Sequence, residues 1–202
     1  MEYLYWTNLD VQTFSVLLNK KNIQNSHKLY WLPAIIKNCA LGKELLFDTL
    51  ANEIIVDAWY TVCEYHVHLG PYKYDEKKRL NTPQDAIEVA VKWLFENTYL
   101  NERSNKEEIF EVLNDLQGDS FFTKKKQDIV RYAPYRLLAP FLKGYVKEED
   151  YNKDKVICDI IERVNENNLL PYIIKWDKER LKRSILIPNE WGGPQDESYE
   201  NF

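Results

Sequence analysis

The stretch that decides the fold is ELLFDTLANEIIVDAWYTVCEY, residues 44–65. Its apolar residues recur at intervals of three and four, as at Leu50, Ile54, Ala58 and Trp59. Because an α-helix turns once every 3.6 residues, this spacing places them on one broad face. We therefore predict a long helix at the centre of the hydrophobic core.

Helical spacing continues on both sides of this segment. Thr82 and Pro83 suit the N-cap and first position of one helix, after a polar loop that follows Gly70 and Pro71. Ser104 with Glu107 forms the pattern of a capping box. The predicted flanking helices cover residues 9–18, 26–41 with Ser26 as N-cap, 82–95, 104–117, 128–132 and 152–165, and prolines limit a short segment at 134–140.

The last part of the chain changes character. Residues 172–176 and 184–188 are short β-prone runs around a charged stretch, which predicts one small C-terminal β-hairpin. The fold class is thus mainly α, an orthogonal bundle of about seven helices with one hairpin. We expect a single helical domain over residues 1–188, followed by an acidic tail or linker over 189–202.

Composition sets limits on the class of protein. A chain of 202 residues buries a sufficient core without disulfides, and its net charge of −5 disfavours nucleic-acid binding by bulk positive potential. Cys39, Cys63 and Cys158 are odd in number and lie in apolar stretches, so we expect buried thiols. With no signal-like N-terminus and no apolar run of about 18 residues, we expect a cytoplasmic chain with no membrane contact.

Motifs for common chemistries are missing from the sequence. It contains no Gly-rich phosphate loop, no Gly-x-Ser-x-Gly and no Cys-x-x-Cys, and its three histidines are too few for much metal chemistry. His66 and His68 are expected to be structural, at the end of the central helix. Glu53 and Asp57 lie four residues apart on one helical face, either as a carboxylate pair for acid–base work or as members of ion pairs.

A set of basic residues follows the middle of the chain. The lysine run at 124–126 is preceded by Phe121 and Phe122, a combination that suits contact with nucleic acid but also a solvated helix entry. Arg136 is flanked in the sequence by prolines and tyrosines, and this setting suits either an anion site or an ion pair that joins helix ends. The candidate contact residues are Lys124, Lys125, Lys126, Arg131 and Arg136.

Several phrases taken together carry a family resemblance. They are NSHKLYWL at residues 25–32, DAWY at 57–60 with HLG at 68–70, and RYAPYRLLAPF at 131–141. In their order and spacing the chain resembles, over roughly residues 20–175, the N-terminal helical region of bacterial proteins that carry a C-terminal HNH endonuclease domain.

That resemblance implies an accessory domain that positions or regulates a nuclease by contacting duplex DNA, a partner subunit or the nuclease module. The histidines, asparagine and divalent metal of an HNH module belong to a ββα-metal unit further along such chains, so no catalytic residue, metal ligand or cofactor is expected within these 202 residues. The parent protein would then be an HNH endonuclease, and this chain either a piece of it or a stand-alone relative.

Two other classes of function remain open. The surplus of Trp and Tyr favours a stand-alone protein–protein interaction module without nucleic-acid binding, including a homodimer. An enzyme with an unrecognised site is the third hypothesis, and it would require Asp57, Arg136 and His66 to share a pocket.

Overall fold

A computed structural model describes residue 19 and residues 26–39, 44–77, 80–142, 144–150, 153–165 and 170–187. The predicted helix over residues 9–18 and the predicted tail over 189–202 lie outside these ranges. Within them the chain is mostly helical, with a few small antiparallel strands.

The central helix is confirmed. Helix α1 covers Ser26–Cys39 and helix α2 covers Phe47–Cys63, of which eleven residues are buried. Leu50, Ala58 and Trp59 are fully buried, as their helical spacing predicts. The N-terminus of α2 lacks a side-chain cap, and the Phe47 amide instead donates to the Arg183 carbonyl at 2.8 Å. A backbone carbonyl from the C-terminal part of the described chain therefore caps the N-terminus of the central helix.

Most of the remaining helices pack against α2, and the others pack against neighbouring elements. Helices α3, α4 and α5 all contact α2, as does α1. Short 3-10 segments occupy Ala139–Leu142, Glu148–Asp150 and Arg180–Lys182. The further α-helices are α3 at Ala86–Asn97, α4 at Lys106–Asp115, α5 at Ser120–Ile129, α6 at Ala133–Leu138 and α7 at Asp154–Asn165.

The predicted starts of α3 and α4 are wrong by one to three residues. Asn105, rather than Ser104, is the N-cap of α4, because its side chain accepts from the Glu108 amide while the Glu108 carboxylate accepts from the Asn105 amide. Asp85, rather than Thr82, is the N-cap of α3.

The predicted polar loop before α3 is a two-stranded ribbon. Strand β2 at Tyr72–Asp75 pairs antiparallel with strand β3 at Leu80–Pro83, which places Thr82 and Pro83 in a strand. The Gln84 amide donates to the Pro71 carbonyl at 3.1 Å and extends the pairing beyond Pro83. The ribbon leads directly into α3, so its position fixes where that helix begins.

The C-terminal strands belong to a larger sheet than the sequence predicted. Strands β4 at Ile173–Lys175 and β5 at Ser184–Leu186 pair antiparallel, and β1 at Leu45–Leu46 pairs with the other edge of β5. The sheet order is β1-β5-β4. Because β1 immediately precedes α2, the sheet ties the end of the described chain to the start of the central helix. Of the helices in the described ranges, none has the length and apolarity that crossing a membrane requires.

Candidate nucleic-acid interface

The N-terminus of α3 is organised by the carboxylate of Asp85. One oxygen, Oδ1, accepts from the amides of Ile87 at 2.9 Å and Glu88 at 3.2 Å, as an N-cap does. The other, Oδ2, accepts from the Ser26 hydroxyl and lies 3.2 Å from Nε2 of His27. Asp85 thus joins the first turn of α1 to the first turn of α3. Ser26, predicted as the N-cap of α1, is instead the first residue of that helix, and its hydroxyl donates to Asp85.

The ring of His27 lies between two acceptors. Its Nε2 faces the Asp85 carboxylate, and its Nδ1 lies 3.3 Å from the carbonyl oxygen of Ile129 at the end of α5. When protonated, the ring can donate to both acceptors. Burial alone would lower the pKa of His27, but the hydrogen bond and charge of Asp85, with the Ile129 carbonyl, raise the pKa above its ordinary value.

The pKa of Asp85 moves in the complementary direction. Its burial would raise this pKa, but the hydrogen bonds from His27 and Ser26 outweigh burial and lower it. The two shifts have one cause, because the charged form of each partner favours the charged form of the other.

Gly70 approaches the same carboxylate from the turn that precedes the ribbon. A Cβ atom added to Gly70 would lie 2.9 Å from the Cβ of Asp85, closer than real side chains pack. Only a residue without a side chain fits there. Ser26 and His27 of the NSHKLYWL stretch contact Asp85, and Gly70 of the HLG stretch lies against its Cβ. Ile129, whose carbonyl faces His27, precedes the RYAPYRLLAPF stretch by two residues.

A second carboxylate on α3, that of Glu88, contacts His68 and Leu69. Glu88 is fully buried, and its oxygens accept from the Leu69 amide at 3.0 Å and the Tyr72 hydroxyl, with Nδ1 of His68 at 3.2 Å and the Lys92 ammonium at 3.1 Å. Although burial would raise the pKa of Glu88, these donors lower it. This cluster attaches the HLG phrase and strand β2 to α3, in line with the structural role predicted for His68. His66, with φ of 52°, lies exposed in the turn after α2.

Beside the His27–Asp85 pair lies an open cleft of about 430 Å³, here called the basic groove. Its floor includes the apolar side chains of Ala86 and Val89 at the start of α3. The cations come from α1, α5 and the turn after α5. The lining residues are His27, Gln84, Ala86, Val89, Lys125, Asp128, Arg131 and Tyr132.

The groove combines cations with aromatic rings. The Arg131 guanidinium lies 5.0 Å from the centre of the Tyr132 ring and 4.0 Å from the Asp128 carboxylate, a weak surface pair. The Lys125 ammonium lies 4.6 Å from the centre of the exposed Phe121 ring. Lys125 and Arg131 bring positive charge to the groove, and the Asp128 carboxylate offsets part of it. The His27–Asp85 pair lies beside them.

The structure divides the five basic residues that the sequence singled out. Lys125 and Arg131 line the groove, and Lys124 is exposed on the same helix but lies outside the lining. Lys126 is only 3% exposed, and its ammonium lies 2.5 Å from Oδ1 of Asp48 on α2. Lys126 is therefore a residue of the helix interface and leaves the set of contact candidates, because its charge is already paired inside the fold.

Arg136 lies on the far side of Tyr132. Both side chains line a smaller pocket that Asp154 and Tyr135 also border. Burial, together with the nearby Arg136 guanidinium, lowers the pKa of Lys28 in the first turn of α1. Lys28 and Arg136 thus extend the positive surface past Tyr132, beyond the groove itself.

The carboxylates of the central helix form ion pairs. Asp57 bonds the ammonium of Lys37, and Glu53 lies 3.4 Å from that of Lys106. Asp57 and His66 do not line the pocket of Arg136. Among the residues that the structure describes, no three His, Cys, Asp or Glu side chains are grouped so that they could hold a metal ion.

The described cysteines are buried free thiols. Burial, as the largest cause, raises the pKa of both Cys63 and Cys158 to about 12, so neither is a thiolate near neutral pH. The side chain of Cys39 lies outside the described part. The expectation of buried thiols is thus confirmed for two of the three cysteines.

A buried arginine cluster escaped the sequence analysis. Nη1 of Arg183 donates to the Tyr135 hydroxyl at 2.6 Å and to Oδ2 of Asp154 at 2.7 Å, while Arg180 donates to the same oxygen at 2.9 Å. These bonds join α6, α7 and the residue before β5. Tyr135, Asp154 and the Arg180–Arg183 stretch come from three separate segments, so no local pattern marks the group.

Four groove or cap residues were also missed: His27, Gln84, Asp85 and Tyr132. A signal was present for one of them, because Asp85 followed three residues later by Glu88 is a helix-start pattern. Comparison of the chain with protein-family models, curated proteins and solved structures finds no match.

Proposed function

We propose that this chain is a non-catalytic accessory domain of an HNH-endonuclease-like protein and that it contacts duplex DNA through the basic groove. The nuclease chemistry, with its divalent metal, would belong to a module in a longer chain or in another molecule. The observation that supports this function best is the convergence of His27, Lys125 and Arg131 on one cleft.

The local charge around the groove differs in sign from the whole chain. The chain carries a net charge of −5. Among the residues that line the groove, Lys125 and Arg131 stand against Asp128, and Lys28 and Arg136 add positive charge beyond Tyr132. Lysine and arginine side chains on such a surface can bind nucleic-acid phosphates, and each such contact releases condensed counterions.

The family resemblance and the groove involve the same segments. His27 lies within the first phrase, and Arg131 and Tyr132 begin the last one. Both segments border the groove although more than one hundred residues separate them: the bond between His27 and the carbonyl of Ile129 spans 102 positions. This convergence supports a shared role for the phrases in one surface.

The test is DNA binding measured by fluorescence anisotropy with a labelled duplex across a salt series. We expect affinity that falls steeply with salt, and a log–log slope that drops by about one for each of Lys125→Gln and Arg131→Gln. Lys147→Gln serves as the matched control, because Lys147 is exposed and does not line the groove. Equal salt slopes for the groove variants and the control would remove the groove from the proposal.

A stand-alone protein-interaction module is the second candidate. Four large apolar side chains are exposed on the turn after α2 and on the β2–β3 ribbon: Tyr65, Val67, Tyr74 and Leu80. Light scattering over a concentration range, with Tyr74→Ser and Leu80→Ser, tests this function as self-association. A monomer at all concentrations that binds duplex DNA would favour the accessory domain.

The proposal also includes two expectations about setting and shape. A cytoplasmic location is supported by the free thiols Cys63 and Cys158, which suit a reducing compartment. An orthogonal arrangement of the helices remains part of the proposal as well.

A further inference from the structure

We infer that the basic groove accepts one unpaired nucleotide of a single strand, with its base inside the cleft and its phosphate at the rim. This inference rests on the proposed function, because it takes the ligand to be nucleic acid. It goes further by naming the form of the strand and the role of Tyr132.

The size of the groove is the first argument. A cleft of about 430 Å³ lies in the range of sites that enclose small molecules. A duplex keeps its bases stacked inside and presents phosphates and narrow grooves on its outside, so it cannot place a base in such a cleft. An unpaired base can be turned out of the strand and inserted.

The walls have the chemistry of a base-binding site. Ala86 and Val89 contribute apolar side chains to the lining, and the half-exposed Tyr132 ring lines the cleft with the Arg131 guanidinium 5.0 Å from its centre. Aromatic rings and guanidinium planes are the surfaces on which unpaired bases stack. A site for phosphate alone would need neither the apolar side chains nor the ring.

Polar groups for the edge of a base are also present. Gln84 is exposed, and its Nε2 donates to the carbonyls of Thr82 and Pro83 at 3.2 and 3.3 Å, which fixes the side-chain amide over the ribbon. The Asp128 carboxylate is about half exposed and contacts Arg131 only at 4.0 Å. An amide and a carboxylate can pair with the donors and acceptors of a base edge, while Lys125 and the His27 imidazolium suit the phosphate.

The experiment compares a labelled mixed-sequence 12-nucleotide single strand with the duplex that it forms with its complement, both by anisotropy at one salt concentration. We expect the single strand to bind at least five-fold more tightly. Stacking of one base is worth roughly 1–3 kcal/mol, so Tyr132→Leu should reduce the ratio of single-strand to duplex affinity by roughly 5-fold or more, and Tyr132→Phe should preserve it. Tyr99→Leu, at another exposed tyrosine, is the control and should leave the ratio unchanged.

A second measurement uses the wild-type chain and does not depend on the folding of a variant. A single strand that carries 5-iodouracil is photo-crosslinked, and the attached residue is located by mass spectrometry. We expect attachment at Tyr132, and crosslinks confined to residues outside the groove would overturn the inference.

The outcomes separate this inference from the proposed function. Equal affinity for both strands, together with a Tyr132→Leu ratio like that of wild type, overturns the inference and leaves duplex contact in place. Binding of the single strand without the duplex supports the inference and overturns duplex contact. Failure of both strands to bind overturns both.

Discussion

The Nε2 atom of His27 lies 3.2 Å from Oδ2 of Asp85, and the opposite ring nitrogen of His27 faces the carbonyl of Ile129. The ring of His27 thereby connects the start of α1, the start of α3 and the end of α5. The groove lies between these same three helix ends, so its geometry depends on this pair.

Stability should depend on the protonation of His27. Its folded-state pKa is raised above the ordinary value of 6.5, so its contribution to the free energy of unfolding is complete below that value and is lost as pH rises through the folded-state pKa. Asp85, whose pKa is lowered, contributes above 3.8 and loses that contribution as pH falls through its folded-state pKa. Urea unfolding of wild type and His27→Gln should therefore differ more at pH 5.5 than at pH 8.5. An equal difference at the two pH values would contradict this.

Gly70→Ala should destabilise the fold by about 1–3 kcal/mol, because the added Cβ would overlap the Cβ of Asp85. The measurement is urea unfolding in a double-mutant cycle with Asp85→Gly, which removes the opposing atom while glycine remains an acceptable N-cap. In the Asp85→Gly background the cost of Gly70→Ala should be smaller. A cost that is the same in both backgrounds would show that the two residues are not in steric contact.

Glu88→Gln should loosen the β2–β3 ribbon and destabilise the fold by about 2–4 kcal/mol. The substitution removes a buried charge on which Lys92, His68, Leu69 and Tyr72 converge, and it leaves some of these donors without an acceptor. Trypsin should then cleave faster after Lys77, in the turn of the ribbon. Glu96→Gln, at an exposed site on the same helix, is the control and should change neither stability nor cleavage.

Lys126→Ala should cost about 1–3 kcal/mol of stability, whereas Lys124→Ala should cost less than about 0.5 kcal/mol. The side chain of Lys126 is buried between α5 and α2, where its ammonium pairs with Asp48. Lys124 lies two residues earlier on α5 and is exposed. Thermal unfolding of the two variants at one pH makes the comparison. Similar losses for both would contradict the assignment of Lys126 to the interior.

The central helix could be predicted because burial repeats with the period of the helix. Leu50, Ile54 and Trp59 lie on one apolar face, and that face is buried whichever element of the fold packs against it. Helix α6 was predictable as a short segment for a similar local reason, since Pro134 can start a helix turn and Pro140 disfavours its continuation.

The start of α3 could not be chosen by local signals alone. Thr82 with Pro83 and Asp85 with Glu88 are both acceptable helix starts. Pairing of β3 with β2 assigns Thr82 and Pro83 to a strand, and the contacts of Ser26, His27 and Gly70 secure Asp85 as the cap. These partners come from distant segments, so the choice was made by tertiary packing.

The sequence by itself determined the position of the central helix and which side chains carry positive charge, because helical period and residue chemistry are local properties. Only the tertiary structure decided what those charges do. Lys124, Lys125 and Lys126 are chemically identical, yet helical phase turns one toward Asp48, one toward the groove and one toward solvent. His27 became part of the groove because two segments far apart in the chain each supplied an acceptor for its ring.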